Sequence, residues 1–222
     1  MNFPFGEYKD CTNKEQILAK VRSAILEKDE NHFITINLQD DTWMPFKEED
    51  GNEFTFIERF KANGGIFMYF EKMEHFKEAM KQFIDENDWS PLLTTSPVIK
   101  EIFADTDIVF SDDYNNMERK KNVSLIDCEC MIAQTGSVMV SEATAGSRAA
   151  YSFADVLLIL ARPYQFVNKI KDALSLVKEK YSDNQPTGMT IISGASRSTE
   201  IENTLVTGAL GIKQIALFLV ED

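Results

Sequence analysis

The chain has few of the residues that most often carry metal or redox chemistry. Three cysteines and two histidines occur in 222 residues. Cys128 and Cys130 form a C-x-C pair with Cys11 far away, and no C-x-x-C run is present. The sequence therefore predicts no zinc site, no iron–sulfur cluster and no other cofactor held by this chain alone. Three cysteines also fit a reducing compartment better than a disulfide framework, and they read as small residues packed in a core. His32 and His75 stand far from each other and from the cysteines in sequence, so neither is expected to carry chemistry.

Positive charge is scarce too. Twenty-three Lys and Arg face 36 Asp and Glu, for a net charge of −13. A phosphate backbone repels such a surface, so nucleic acid is not the expected partner. Arg119-Lys120-Lys121 is a short basic cluster and reads as a solvated loop. No window approaches the ~18 consecutive apolar residues of a membrane helix. The opening MNFPFGEYKD lacks the basic and apolar regions of a secretory signal. A cytoplasmic protein is expected, away from membranes.

What is present reads as one α/β domain over 1–222, with an N-terminal helix and acidic excursion over 12–51 and a core over 52–222. Thr12-Asn13-Lys14-Glu15 is a capping box before Ile17, Val21 and Ile25, which predicts a helix over 13–27. Phe54, Ile57 and Phe60 predict a short helix closed at Asn63-Gly64-Gly65. Residues 65–70 then read as a buried strand. Met73, Phe76, Met80, Phe83 and Ile84 mark a helical face, 97–104 another short helix, and Ile108-Val109-Phe110 another strand. Val138-Met139-Val140, the run 156–160, the run 189–192 and the run 215–220 add strands. Val167, Ile170, Leu174 and Val177 form a helical stripe. Short apolar strands alternating with amphipathic helices predict parallel pairing through crossovers, hence a three-layer, mostly parallel sheet.

Two junctions carry polar chemistry. After the strand at 189–193 comes Gly194-Ala195-Ser196-Arg197-Ser198-Thr199, with a helix expected from 199 or 200. At the carboxyl edge of an open α/β sheet that loop would offer a permissive glycine, unpaired helix N–H groups, hydroxyl donors and a guanidinium fork for an anion. Thr199-Glu200-Ile201-Glu202 also reads as a plain capping box, with the serines as caps, and both readings stand at this level. The second junction, Gln134-Thr135-Gly136-Ser137, leads into a strand followed by Ser141-Glu142 and Gly146-Ser147-Arg148. Gly136, Ser137 and Arg148 join Ser193, Gly194, Ser196, Arg197, Ser198 and Thr199 as candidate anion contacts. Glu142 is the best-placed carboxylate for acid–base work, and it also reads as a solvated surface glutamate. No nucleophile elbow, H-E-x-x-H or G-x-G-x-x-G occurs.

These segments resemble the LUD domain of the lactate utilization protein C family. Ile132-Ala133-Gln134-Thr135-Gly136-Ser137 matches the family's Ile-Ala-x-Thr-Gly-[Thr/Ser] entry to a strand, and Arg148 matches its downstream arginine. Ser193-Gly194-Ala195-Ser196-Arg197-Ser198-Thr199-Glu200-Ile201-Glu202 matches its Ser-Gly-Pro-Ser-Arg-Thr-Ala-Asp-Ile-Glu segment. The chain departs at Ala195, where relatives carry proline, and across 152–157, where many carry Leu-Pro and a histidine. It thus resembles a divergent member. The resemblance implies a fold like the NagB/RpiA/CoA-transferase group. It also implies an accessory role in oxidising L-lactate to pyruvate, with iron–sulfur partner subunits carrying the electrons and a small anionic metabolite bound here. A stand-alone enzyme on a sugar-phosphate or CoA ester, and a scaffold without a ligand, are the alternatives.

Overall fold

A computed structural model of the chain describes residues 51–114, 121–201, 204–208 and 211–221, together with Ala19 and Arg22. Ala19 and Arg22 are helical, while the rest of the helix expected over 13–27 and of the acidic excursion lies outside the described residues. The chain divides into two compact units, Met1–Trp43 and Met44–Asp222, and the second holds every strand among the described residues.

The elements in chain order are α1 (Asn52–Ala62), β1 (Ile66–Phe70), α2 (Met73–Asn87), β2 (Leu92–Leu93), α3 (Pro97–Ile102), β3 (Phe110–Ser111), β4 (Val123–Asp127), β5 (Cys130–Ile132) and β6 (Ser137–Ser141). Then come α4 (Glu142–Ala145), α5 (Ala149–Ser152), β7 (Val156–Ala161), a 3-10 turn (Pro163–Gln165), β8 (Phe166–Val167), α6 (Ile170–Tyr181), β9 (Met189–Ile192), β10 (Arg197–Ile201), β11 (Thr204–Thr207) and β12 (Gln214–Val220).

Six strands form one parallel sheet in the order β1-β12-β7-β4-β2-β3. Its centre is made of the unbroken apolar runs, because a strand covered on both faces cannot alternate with polar residues. Leu157, Ile159, Leu217 and Leu219 face one core together with Phe56 and Phe60 of α1. Leu158, Leu160, Phe218 and Val220 face the other, with Phe76 and Met80 of α2 and Ile99 of α3. In that second core the Phe76 ring lies 5.3–5.7 Å from the rings of Phe70, Phe103 and Phe218. The α/β class and the mostly parallel sheet flanked by helices match the expectation from sequence.

A second sheet was not foreseen. β8-β5-β6-β9 is four-stranded and mostly antiparallel, and it takes two of the strands expected in the main sheet. One side of it joins the α1 core, and Ala173 and Val177 of α6 cover the other. Local details move as well. β1 is an edge strand with Ile66 and Tyr69 exposed, not a buried one. α1 buries Phe56 and Phe60 and leaves Phe54 outside. The α6 stripe runs through Ala173 and Val177, with Ile170 and Leu174 exposed. No helix among the described residues is long and apolar enough to cross a membrane.

Candidate functional site

The loop after β9 does not enter a helix. Residues 197–201 are the strand β10, which returns as β11, so both the helix expected from 199 or 200 and its capping box are overturned. Ser, Thr, Ile and Val dominate these two strands, and β-branched side chains favour an extended backbone. Without a helix terminus there is no dipole at this loop for an anion to meet. Thr199 lies on β10.

The loop also lies at the opposite edge of the parallel sheet from the one expected. The Ser196 N–H donates to the Ile212 carbonyl at 2.7 Å, the Gly208 N–H to the Ser196 carbonyl at 2.8 Å, and Arg197 Nη2 to the Asn63 carbonyl at 2.9 Å. Asn63 precedes β1 and Ile212 precedes β12, which is the amino edge. The carboxyl-edge expectation fails because β9 belongs to the second sheet. Ser193 Oγ and Ser137 Oγ share a hydrogen bond at 2.6 Å, and Asn63 Nδ2 donates to the Thr135 carbonyl at 2.9 Å. Arg59 donates to the Gln134 carbonyl. Gly194 has φ 92°, and a Cβ there would stand 2.2 Å from the Asn63 carbonyl oxygen. At Gly136 the corresponding distance to the Arg59 backbone is 2.5 Å. The two sequence junctions therefore meet, and together they clasp the C-terminal turn of α1, where the Arg59, Phe60 and Lys61 carbonyls accept from the Asn63, Gly65 and Gly64 N–H groups and the Asn63 carbonyl accepts from Arg197. Ser198 pairs across the hairpin with Val206.

Arg197 is exposed, and its hydrogen bond to Asn63 is worth about 0.5–1.5 kcal/mol. Arg197→Ala is expected to lower the unfolding free energy by that amount, read in urea as a lower midpoint with an unchanged m-value.

Arg148 does not join Arg197. Its Nε donates to Glu142 Oε2 at 2.5 Å and its Nη2 to Thr187 Oγ1 at 2.5 Å. The Thr187 N–H donates to Glu142 Oε1 at 2.8 Å. This cluster sits where Ser141 pairs with Met189, whereas Ser193 sits just beyond the Val138–Ile192 pair. Along the β6–β9 ladder these two attachment points lie roughly 10–13 Å apart at ~3.3 Å per residue. Hydrogen bonds first from Arg148 and then from Thr187 hold the Glu142 carboxyl down at about 2. Such a carboxylate is a weak base at neutral pH. Glu142→Gln is expected to leave the affinity for any small acid unchanged, and carboxyl carbon NMR is expected to show Glu142 titrating near 2.

The carboxyl edge of the parallel sheet holds a site that no sequence motif marks. A cavity of about 210 Å³ is lined by Asp127, Cys128, Glu129, Tyr164, Gln165, Leu176 and Lys180. Asp127 ends β4, and Tyr164 and Gln165 follow β7, its neighbour in the sheet. Glu129 is buried and fully engaged. Ser141 Oγ and Tyr181 Oη donate to Oε1, the latter at 2.8 Å, and Lys180 Nζ donates to Oε2 at 2.8 Å. The ammonium also lies 5.0 Å from the centre of the Tyr181 ring. Half of the Lys180 side chain still meets solvent, so its remaining protons are accessible.

Asp127 differs from Glu129. It accepts from the Cys128 N–H at 2.7 Å and from Gln165 Nε2 at 3.3 Å, both at Oδ1. Among the described residues none donates to Oδ2. Burial pushes its carboxyl above the ordinary aspartate range, against the fields of Arg162 and Lys180. Gln165 is itself fixed, since Nε2 donates to the Cys128 carbonyl and Oε1 accepts from the Arg162 N–H, each at 2.6 Å. Burial also raises the two thiols, Cys130 to about 12 and Cys128 well above the ordinary value, which keeps both protonated.

A family model described as the LUD domain matches residues 55–220. The crystal structure of a DUF162 family protein from Deinococcus radiodurans superposes with a TM-score of 0.56 at 15% identity, covering 79% of this chain and 99% of that one. At that identity the likeness speaks for the fold. No curated protein matches the chain.

Proposed function

We propose, from the premise that this chain belongs to the LUD domain family, that it is an accessory component of 2-hydroxy-acid oxidation which binds the small acid in the cleft between β4 and β7. The family's association with lactate utilization supports the class of substrate. The observation that carries the reading is the cavity at the carboxyl edge, lined by one accessible cation and one carboxyl with an open oxygen. Its volume of about 210 Å³ suits a molecule of a few heavy atoms. Drug-sized ligands occupy ~300–1,000 Å³, which favours a hydroxy acid over a CoA ester. Lys180 meets the ligand carboxylate. The electron carriers sit on iron–sulfur partner subunits, as the resemblance to the lactate utilization family implies.

The amino-edge loop is the second reading. It is favoured by the exposed Arg197 guanidinium, which bonds Asn63 through Nη2. Titration calorimetry with L-lactate separates the two. The cleft reading expects Arg197→Ala to bind like the unaltered chain and Lys180→Gln to bind about ten- to a hundredfold more weakly, as for one charged hydrogen bond of ~1.5–3 kcal/mol. The reverse pattern transfers the site to the loop.

A further inference from the structure

The two carboxylates of the cleft are built for different tasks. Glu129 has donors on both oxygens and a cationic partner, so it is a fixed anion. Asp127 lines the cavity and is anchored through Oδ1 alone, which leaves Oδ2 without a donor among the described residues. An ionised Oδ2 accepts a hydrogen bond and cannot give one; a protonated Oδ2 gives one. The oxidised and reduced forms of a 2-hydroxy acid differ in this respect at carbon 2. The alcohol has a proton to donate, and the ketone has only lone pairs.

Resting on the cleft reading, we infer that Asp127 Oδ2 reads carbon 2 of the ligand, so that ionised Asp127 selects the 2-hydroxy acid and protonated Asp127 selects the 2-oxo acid. The proton on Asp127 thereby sets which redox partner the protein holds. No bond in the ligand is made or broken by this step.

The groups around Asp127 make that switch accessible. From the residues after β7 come Arg162, the Tyr164 phenol that lines the cavity and the neutral Gln165 amide; from α6 comes Lys180. On its own segment stand Cys128, held as a thiol, and Glu129, already countered by Lys180. Desolvation outweighs the two cations at Asp127 and moves its titration upward from 3.8. The carboxylates of both ligands stay ionised over that window, so a pH-dependent preference belongs to the protein.

The test is calorimetry of the full chain with L-lactate and with pyruvate between about pH 4.5 and about 8. The lactate affinity is expected to rise about tenfold per pH unit below the Asp127 midpoint and to level off above it, while the pyruvate affinity is level below the midpoint and falls about tenfold per unit above it, so that their ratio rises across the whole range. Asp127→Asn keeps an acceptor for Cys128 and Gln165 and places an amide donor at the open position. It is expected to bind pyruvate in preference to lactate at every pH. If both ligands bind with a ratio that does not change with pH, or if Asp127→Asn retains the change, the switch is refuted and the cleft reading survives. If neither ligand binds the unaltered chain, the cleft reading falls and takes the switch with it.

Discussion

Lys180→Met is expected to lower stability by about 3 kcal/mol, the low end of the ~3–5 kcal/mol seen when one partner of a buried ion pair is removed. The low end applies because the charges are unequally buried. Glu129 is shielded from solvent, whereas 46% of the Lys180 side chain remains accessible. After the substitution the carboxylate keeps the Ser141 and Tyr181 hydroxyls and loses its countercharge. Adding Glu129→Gln to that background is expected to recover a large part of the loss, since an amide needs no countercharge. Urea unfolding of the two single variants and the double variant measures the coupling directly. The same contact gives the pH dependence a sign. Glu129 raises the Lys180 ammonium above its ordinary 10.5 despite partial burial, and burial with the Glu129 contact raises the Tyr181 phenol above 10.0. A group raised on folding stabilises fully below its unfolded value and loses that contribution as pH climbs through the folded one. Stability is expected to fall above about pH 10, and less steeply in Lys180→Met.

Asp127→Asn is expected to act in the opposite direction, stabilising the chain at neutral pH by about 0.5–2 kcal/mol. The Asp127 carboxyl is raised by burial, so its ionisation opposes folding, and the contribution it makes in acid is lost as pH rises through its folded value. Asparagine keeps the Oδ1 acceptor for the Cys128 N–H and Gln165 while removing the charge. Thermal melts at neutral and at acidic pH check this, with a gain expected only where Asp127 is ionised. A fold that retains a destabilising carboxylate beside a cavity fits selection for binding over stability.

The sheet was legible because burial on both faces leaves an unbroken apolar signature, as at 156–160 and 215–220. The helix α2 was legible because Phe76, Met80 and Ile84 recur at fours. The second sheet was not, because β5, β8 and β9 span only two to four residues, and so short a run does not reveal which sheet accepts it. The Ser-Gly-x-Ser-Arg segment was recognisable as a sequence, yet its placement depended on β9 pairing with β6. The cleft was hidden for a different reason. Asp127 and Glu129 bracket Cys128, and the only pattern visible in that segment is C-x-C. Lys180, which completes it, stands 51 residues away, beyond the reach of any local period. The available signal was two acids at the end of the apolar run Val123–Asp127, where a buried charge demands a partner.

Chemical-shift mapping of the full chain during addition of L-lactate tests the location of the site most directly. Progressive, saturable shifts at Asp127, Gln165 and Lys180, with Ser193, Gly194 and Arg197 stationary, are the predicted result. Shifts confined to the Ser193–Ser198 loop, or none at either edge of the sheet, would contradict it.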